Sequence, residues 1–179
     1  MDDVVLYFEG DATKEIRLLR GFKNRFGGTS EVGIFEMTPK GLISAKDLAN
    51  RFFTRGKATS GSALGVVMEG SRALVLEVQA LVCESSYPKR SATGYEKNRL
   101  DMLLALLERK LEIPLGHYDV FVNISGGVRV NETAADLAVV AAIISSFKNR
   151  PLSKDCVFIG ELSLNGEIRE VFSLDTRLK

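Results

Sequence analysis

The spacing of hydrophobic and polar residues divides the first part of the chain into short strands. "VVLYFE" at residues 4–9 is a continuous run with β-branched and aromatic side chains, which predicts a buried strand. "IRLLRGFKNRF" predicts a second strand, and "GIFEMTPKGLIS" predicts a hairpin that turns at Pro-Lys-Gly. "SAKDLANRFF" offers Ser44 as a cap with Asp47 three residues later, so a short helix is expected there.

The pattern restarts after the polar, glycine-bearing residues 54–62, which predict a linker. "ALGVVMEG" and "RALVLEVQALVCES" predict strands joined at a Gly-Ser turn, and "SSYPKRSATG" predicts a polar loop. "YEKNRLDMLLALLERKLEI" predicts an amphipathic helix, because Leu100, Leu103, Leu104 and Leu107 recur at helical spacing.

Strands and helices are mixed in the remainder of the chain. "YDVFVNISG" predicts a strand, "ETAADLAVVAAIISSF" a helix, and "DCVFIGEL" and "EIREVF" further strands. A parallel crossover is expected around residues 132–147. The fold class is therefore α+β, a mixed α/β arrangement. "SLDTRLK" resembles the first turn of a helix, and we expect the chain to be a fragment of a longer protein.

Composition adds few constraints. The 179 residues are 45% hydrophobic, enough for a globular core, and the formal net charge of +1 means that any site for a polyanion depends on local clustering. Cys83 and Cys156 lie in apolar runs and are expected to be buried, reduced thiols, as in a cytoplasmic protein. No apolar run approaches the roughly 20 residues that span a bilayer, so no membrane partner is expected.

The segment "KNRFG" carries the first candidate site. Lys23 and Arg25 are two residues apart on a predicted strand, so both side chains would point to one face and suit an anionic phosphate. The alternative is a solvated edge strand with scattered charge. Together with "LYFEGD" and "EVGIFEM", this segment resembles the end of the RecA-type ATPase core in the bacterial RadA (Sms) family, whose signature is KNRFG.

That resemblance implies the roles of residues 1–55. They would form the end of the ATPase core, and Lys23 and Arg25 would act in trans on the ATP and Mg²⁺ of a neighbouring subunit in the full-length protein. The chain contains no GxxxxGK[ST] segment. We therefore expect no productive ATP binding or hydrolysis by this chain alone.

Residues 56–179 resemble the proteolytic domain of Lon, in the version attached to RadA, truncated at its C-terminus. "DVFVNISGGVRVNETAADLAVVAAIISS" and "FIGELSLNGEIREV" carry the resemblance. Lon enzymes use a Ser-Lys dyad. The resemblance places Ala134 at the serine, Asp175 at the lysine, and Asp136 where a small glycine usually follows the serine, so no catalytic residue remains. Other serines and His117 are expected to be structural or surface residues.

A basic cluster in "YPKRSATGYEKNR" is the second candidate site. This segment contains four cations and one acid, Glu96, with two tyrosines between them. Such a composition suits phosphate contacts and base stacking. The cations are Lys89, Arg90, Lys97 and Arg99. Arg129 could extend this cluster. The alternative is a solvated loop that caps the following helix.

The resemblances imply a DNA repair and recombination protein of RadA type. Its inactive Lon-like domain would act as a ring-assembly scaffold, forming a hexamer, and as a DNA-binding module for an ATP-driven branch-migration motor. Expected partners are single-stranded or branched DNA, other copies of the chain and the recombinase RecA. The runner-up is an ATP-dependent Lon-type serine protease, and a third interpretation is an oligomerisation domain without DNA affinity.

Overall fold

The computed structural model describes residues 2–10, 16–45 and 57–178. Within them it contains several sheets and helices, which confirms the predicted mixed α/β class. The helix expected in "SAKDLANRFF" and the start of the expected linker fall in residues 46–56, outside the described residues.

The first sheet, sheet A, is antiparallel in the order β1-β2-β3-β4, and its strands are those that the sequence predicts. They are β1 Val4–Glu9, β2 Ile16–Asn24, β3 Val32–Thr38 and β4 Gly41–Ser44. The expectation that β1 is buried is wrong: Leu6, Tyr7 and Phe8 are 59%, 60% and 52% exposed. β1 is an edge strand that pairs with β2, so its hydrophobic composition reflects strand propensity rather than burial.

Sheet B has five strands in the order β7-β8-β6-β5-β9. They are β5 Ser62–Glu69, β6 Arg72–Glu84, β7 Arg90–Thr93, β8 Tyr118–Ile124 and β9 Val157–Phe158. The sequence analysis predicts a loop where the structure has β7. That prediction is wrong, because the backbone of residues 90–93 pairs in parallel with β8. The single strand expected in "DCVFIGEL" is also wrong: β9 ends at Phe158, and β10 Glu161–Leu162 pairs instead with β11 Ile168–Arg169.

The described residues also form three α-helices: α1 Lys97–Leu111, α2 Asp136–Phe147 and α3 Leu174–Arg177. Short 3₁₀ turns cover Leu115–His117, Ser125–Gly127 and Thr133–Ala135. The Glu96 carboxylate caps α1 by accepting hydrogen bonds from the backbone N–H groups of Asn98 at 2.9 Å and Arg99 at 2.7 Å. The four leucines predicted for the buried face of α1 are all buried.

Two parallel crossovers build sheet B. α1 connects β7 to the adjacent parallel strand β8. α2 connects β8 to β9. Because β6 is antiparallel to both β5 and β8, β8 runs parallel to β5, and β9 is also parallel to β5. β8 and β9 are therefore parallel, which confirms the crossover predicted around residues 132–147. Gly65 of β5 lets α2 approach closely, because a Cβ at Gly65 would lie 3.0 Å from the Ala138 Cβ. The small residues of α2 thus serve core packing.

One hydrophobic cluster contains most of the buried residues of sheet B and its helices, together with Val32 and Ile34 of β3. The two sheets also meet at the β5–β6 turn, where Ser71 N–H donates to the Ser30 carbonyl at 3.1 Å. Gly70 has φ +60° there, and a Cβ would collide with the Ser30 carbonyl oxygen at 2.3 Å. Arg20 of β2 joins Glu69 of β5 in an ion pair across the same junction. The domain boundary between residues 55 and 56 stays a prediction.

Both cysteines are free and exposed, so the expectation of buried thiols is wrong. Cys83 lies on the solvent face near the end of β6, and Cys156 immediately precedes β9. As far as the described residues go, the helices are all too short or too polar to cross a membrane.

Leu104 provides a test of the α1 interface, since its exposure is 0%. We expect Leu104→Ala to lower the free energy of unfolding by about 2–5 kcal/mol, because it removes buried methyl groups and leaves a cavity. Urea denaturation followed by circular dichroism measures this change. Leu111→Ala in the same helix is the matched control, because Leu111 is 56% exposed; an equal loss in both variants would contradict the packing described here.

Candidate functional site

The position predicted for a peptidase nucleophile is occupied by a buried methyl group. Ala134 is 3% exposed and lies in the 3₁₀ turn that leads into α2. Its carbonyl accepts a hydrogen bond from Gly160 N–H at 3.1 Å, and Leu137 N–H donates to the Gly160 carbonyl at 3.2 Å. These two bonds hold the turn against the segment between β9 and β10. A methyl group cannot attack a carbonyl carbon, and burial leaves no open cleft at this atom.

An ion pair joins the two segments that contain Ala134 and Asp175, the predicted dyad positions. Asp175 is exposed on α3, but Arg177, two residues later, is buried. Arg177 Nη1 and Nη2 each donate to the Glu132 carboxylate at 2.7 Å, and Nη1 also donates to the Val66 carbonyl at 2.9 Å. Glu132 lies two residues before Ala134 and also accepts from Met68 N–H at 2.8 Å. The Glu132–Arg177 pair therefore links both segments to the backbone of β5.

The Asp136 carboxylate is the most highly connected polar group of the site. Its exposure is 0%. Oδ1 accepts from the Tyr95 hydroxyl at 2.6 Å and from Arg99 Nε at 3.2 Å. Oδ2 accepts from Leu162 N–H at 3.0 Å and pairs closely with Arg99 Nη2. Arg99 Nη2 also donates to the Leu162 carbonyl at 2.8 Å.

This arrangement compensates the cost of burying a charge. An unpaired carboxylate in a protein interior is strongly unfavourable, but here both oxygens are paired and the guanidinium binds side-on. Asp136 also lies in the first turn of α2, where the helix dipole favours a negative charge. The hydrogen bonds that Arg99 donates to Asp136 raise the pKa of Arg99. Burial raises the pKa of Tyr95, and the hydrogen bond that its hydroxyl donates to Asp136 raises it further.

Three serines of the second part of the chain, Ser145, Ser146 and Ser163, are held by structural hydrogen bonds. Ser145 Oγ accepts from Gly61 N–H at 2.9 Å and donates to the Arg150 carbonyl. Ser146 Oγ accepts from Val82 N–H at 2.9 Å, and Ser163 Oγ bonds the Glu167 backbone in a turn. His117 is exposed, and its carbonyl accepts from Ser85 N–H at 2.9 Å.

Lys23 and Arg25 do not lie on one strand as the sequence predicts. Lys23 is in β2, whereas Arg25 follows the end of the strand in a turn. Arg25 Nη1 pairs with Asp3 Oδ1 at 3.2 Å, and Arg25 N–H donates to the Asp3 carbonyl at 2.9 Å. Both cationic side chains are exposed and lie close together in sequence. Their predicted role in trans stays a prediction.

Three cations of the predicted basic cluster line one open depression. Lys89, Arg90 and Lys97 surround it where β7 runs beside the start of α1, and Phe121 of β8 and Asp101 of α1 also contribute to its wall. Lys97 pairs with Asp101 at 2.7 Å. Arg90 lies 3.7 Å from Glu108, an ion-pair distance that is too long for a hydrogen bond.

The other two predicted cations lie elsewhere. Arg99 is turned inward, with a side chain 20% exposed, and its guanidinium is bound by Asp136. Arg129 is exposed and lines a separate pocket of about 330 Å³ beside Arg20 and Glu69. Tyr95, one of the two interleaved tyrosines, is only 7% exposed, whereas Tyr87 is 85% exposed. Arg99 and Tyr95 therefore serve the Asp136 network rather than the surface.

Sequence reasoning missed the partners of Asp136 and the Glu132–Arg177 pair. The available signal was a carboxylate at the start of an otherwise apolar helix, in "DLAVVAAII". Such a carboxylate requires a buried partner. Its partner is 37 residues away, so no local pattern identifies it.

The described residues form a mixed α/β chain in which ion pairs hold the turn before α2, the start of α2 and α3. The family model described as subunit ChlI of Mg-chelatase matches residues 91–175, which include α1, β8 and α2.

Bacterial proteins named DNA repair protein RadA are similar to the chain from end to end. Identity is 96% over 179 residues for Campylobacter jejuni, 58% over 181 residues for Helicobacter pylori and 50% over 182 residues for Pseudomonas aeruginosa. Each match covers 100% of this chain and 40% of the relative, so the chain spans less than half the length of these proteins. The predicted resemblance to the RadA family is confirmed.

Asp136 provides a test of the site. We expect Asp136→Ala to lower the free energy of unfolding by about 3–5 kcal/mol, because it leaves the Arg99 guanidinium partly buried without its carboxylate. Urea denaturation measures the loss. The control is Asp175→Ala, which changes an exposed carboxylate and is expected to stay within about 0.5 kcal/mol of the parent. Equal stability of the Asp136 variant and the parent would contradict this description.

Proposed function

We propose that the chain is the DNA-binding and assembly segment of a RadA-type DNA repair protein and has no peptidase activity of its own. The observation that carries the proposal is the depression lined by Lys89, Arg90 and Lys97. In a chain of net charge +1, this is a local concentration of positive charge. Phosphate contacts by such cations supply sequence-independent affinity for nucleic acid.

The state of Arg90 supports phosphate binding. Its side chain is 33% exposed, and its 3.7 Å contact with Glu108 is too long for a hydrogen bond. A partly exposed guanidinium can bind a phosphate through its Nη groups. Lys89 is exposed and offers a second charge, while Asp101 partly neutralises Lys97. The names of the relatives support DNA as the polyanion.

The peptidase alternative lacks its chemical groups. Ala134 has no nucleophilic atom, Asp175 cannot replace a lysine base, and the buried Asp136–Arg99 pair occupies the start of α2. Since Ala134 is 3% exposed, a serine introduced there would be buried as well. The third interpretation, an oligomerisation domain without DNA affinity, differs only in the role of the depression.

The roles of ATP, ring assembly and branch migration belong to the full-length protein in this proposal. The chain's residues do not fit ATP and Mg²⁺ by themselves, because the sequence has no phosphate-binding GxxxxGK[ST] loop and the described residues contain no cluster of three metal ligands. Lys23 and Arg25 are exposed and would contact the nucleotide of a neighbouring copy in a hexamer. The branch-migration activity and a RecA partner are inferred from the resemblance alone.

Neutralising the depression tests DNA binding. We expect the triple variant Lys89→Gln, Arg90→Gln, Lys97→Gln to bind a single-stranded oligonucleotide at least about tenfold more weakly at low salt, because fewer counterions are released on binding. Fluorescence anisotropy at several salt concentrations measures both affinity and the slope of log K against log salt. That slope should become shallower by up to about one for each phosphate that the variant no longer binds.

A control with the same change in charge separates local from overall electrostatics. Lys40→Gln, Arg72→Gln, Arg150→Gln removes three exposed cations that do not line the depression. Its affinity and salt slope should stay close to those of the parent. Equal weakening of both triple variants would remove the depression from the proposal.

Peptidase activity is tested on the purified chain. We expect no cleavage of unfolded casein and no labelling by a fluorophosphonate probe, and the variant Ala134→Ser should remain unlabelled because its hydroxyl would be buried and lack a base. Gel-based fluorescence detects the label, and chymotrypsin is a positive control. Labelling of the parent chain at any serine would favour the protease alternative.

A further inference from the structure

We propose that the turn between β5 and β6, in the second part of the chain, positions the segment that carries Arg25. This turn contains Gly70 and Ser71, and the connection between β2 and β3 contains Arg25 near its start and Ser30 near its end. The inference rests on the proposed trans role of Lys23 and Arg25, and it adds the part of the chain that holds these cations in place. The turn residues are positioning residues, since the contacts described below reach the backbone of the connection and not the nucleotide.

The exact position of a cation matters for the reaction proposed for the full-length protein. ATP hydrolysis transfers the γ-phosphoryl group of ATP to water and releases ADP and inorganic phosphate. Fixed cations stabilise the negative charge on the phosphoryl oxygens in the transition state. A displacement of about 1 Å in such a group can lower the rate on the order of 100-fold. The contacts that hold the β2–β3 connection therefore affect the rate.

The start of the β2–β3 connection is held within the first part of the chain. Arg25 N–H donates to the Asp3 carbonyl at 2.9 Å, and Arg25 Nη1 pairs with Asp3 Oδ1 at 3.2 Å. The Asn24 side chain accepts from Phe26 N–H at 3.0 Å and donates to the Gly28 carbonyl at 3.3 Å. These bonds set the shape of the chain around Arg25, while the end of the connection has a different support.

The end of the connection is held by the β5–β6 turn. Ser71 N–H donates to the Ser30 carbonyl at 3.1 Å. Gly70 has φ +60°, and a Cβ there would lie 2.3 Å from the Ser30 carbonyl oxygen and 2.6 Å from Val32 Cγ2. The two backbones thus meet at a distance that only a glycine allows. Val32 begins β3 and is 3% exposed, so the contact continues into the hydrophobic cluster.

An ion pair lies beside this backbone contact. Arg20, three residues before Lys23 in β2, pairs with Glu69, which ends β5 immediately before Gly70. The Glu69 side chain is 12% exposed, and Arg20 Nε also pairs with Glu9 at 3.0 Å. The second part of the chain therefore holds both sides of the connection, β2 through Arg20 and the end of the connection through its backbone.

The test measures ATP hydrolysis by the full-length protein and by its Gly70→Ala variant. The added methyl group forces the Ser30 carbonyl away from the β5–β6 turn, so we expect kcat to fall by about 10- to 100-fold. KM for ATP should change little, because the displaced cations act mainly in the transition state. Release of radioactive phosphate from labelled ATP detects slow turnover.

Gly41→Ala is the matched control. Gly41 has φ +109°, so the same substitution strains the backbone, but a Cβ there has nothing within 4 Å. Its kcat should stay close to that of the parent. Circular dichroism and size-exclusion chromatography check the fold and the assembly of each variant.

Arg20 offers a second approach to the same contact without a steric clash. Arg20→Met removes the ion pair with Glu69 and should lower kcat in the same direction as Gly70→Ala. Arg20→Lys keeps the positive charge and should lower kcat less. Equal kcat values for Arg20→Met and the parent would contradict a role for the ion pair in positioning β2.

A double variant shows whether Gly70 acts through Arg25. If it does, Gly70→Ala should cost much less in the Arg25→Ala background than in the parent, because the group that it positions is already absent. A general structural defect would lower kcat by the same factor in both backgrounds, and that result would overturn the inference.

The outcomes separate this inference from the proposed function. If Arg25→Ala lowers kcat but Gly70→Ala behaves like Gly41→Ala, the positioning role is wrong and the trans role of Arg25 stands. If Arg25→Ala hydrolyses ATP like the parent, or the parent hydrolyses none, both the trans role and this inference are wrong. DNA binding at the depression is tested separately by the triple glutamine variant. A fall in kcat for Gly70→Ala that disappears in the Arg25→Ala background supports the proposal.

Discussion

The buried carboxylate of Asp136 is the interaction on which the arrangement of the second part of the chain depends. It accepts hydrogen bonds from the hydroxyl of Tyr95, the guanidinium of Arg99 and the backbone of Leu162. These groups come from the segment before α1, from α1 itself and from β10, while Asp136 begins α2. One charged group thus fixes the two crossover helices, α1 and α2, and the β10–β11 pair relative to each other. Because the carboxylate has no access to water, its oxygens need hydrogen-bond partners within the protein, and these three groups supply them.

A second pair, in which Arg177 is buried and Glu132 is 29% exposed, holds α3 in a similar way. Arg177 and Glu132 connect α3 to the turn before α2 and to the backbone of β5. The two pairs lie next to Ala134 and Asp175, the positions that the sequence analysis predicts for a replaced dyad. Their carboxylates and guanidinium groups are paired with each other and with backbone groups. These paired groups therefore have a structural role.

Most elements could be predicted because their signals are local. The leucines of α1 recur at helical spacing, and the hairpin of β3 and β4 turns where Pro-Lys-Gly allows it. β7 was missed because only its pairing with β8, about 30 residues later, makes residues 90–93 a strand. Neither the exposure of Cys83 nor that of Phe8 follows from sequence, since an apolar strand at an edge and one in a core have the same pattern.

The candidate sites show the same limit. A count of charges in "YPKRSATGYEKNR" finds four cations, but it cannot show that Arg99 is directed toward a carboxylate 37 residues away while Lys89, Arg90 and Lys97 share one depression. The replacement of a dyad at Ala134 and Asp175 is a prediction from a resemblance and stays one. The ion pairs beside these residues could be found only in three dimensions, because ion pairs between distant segments leave no periodic signal.

The most direct measurement of the central claim is a double-mutant cycle on Asp136 and Arg99, with Asp136→Leu, Arg99→Met and the double variant compared with the parent by urea denaturation. If the pair organises this part of the fold, each single variant leaves one buried charge unpaired, and the double variant should be more stable than the sum of the single losses predicts by about 2 kcal/mol or more. Additive losses, with a coupling free energy near zero, would show that Asp136 and Arg99 act independently and would contradict the account.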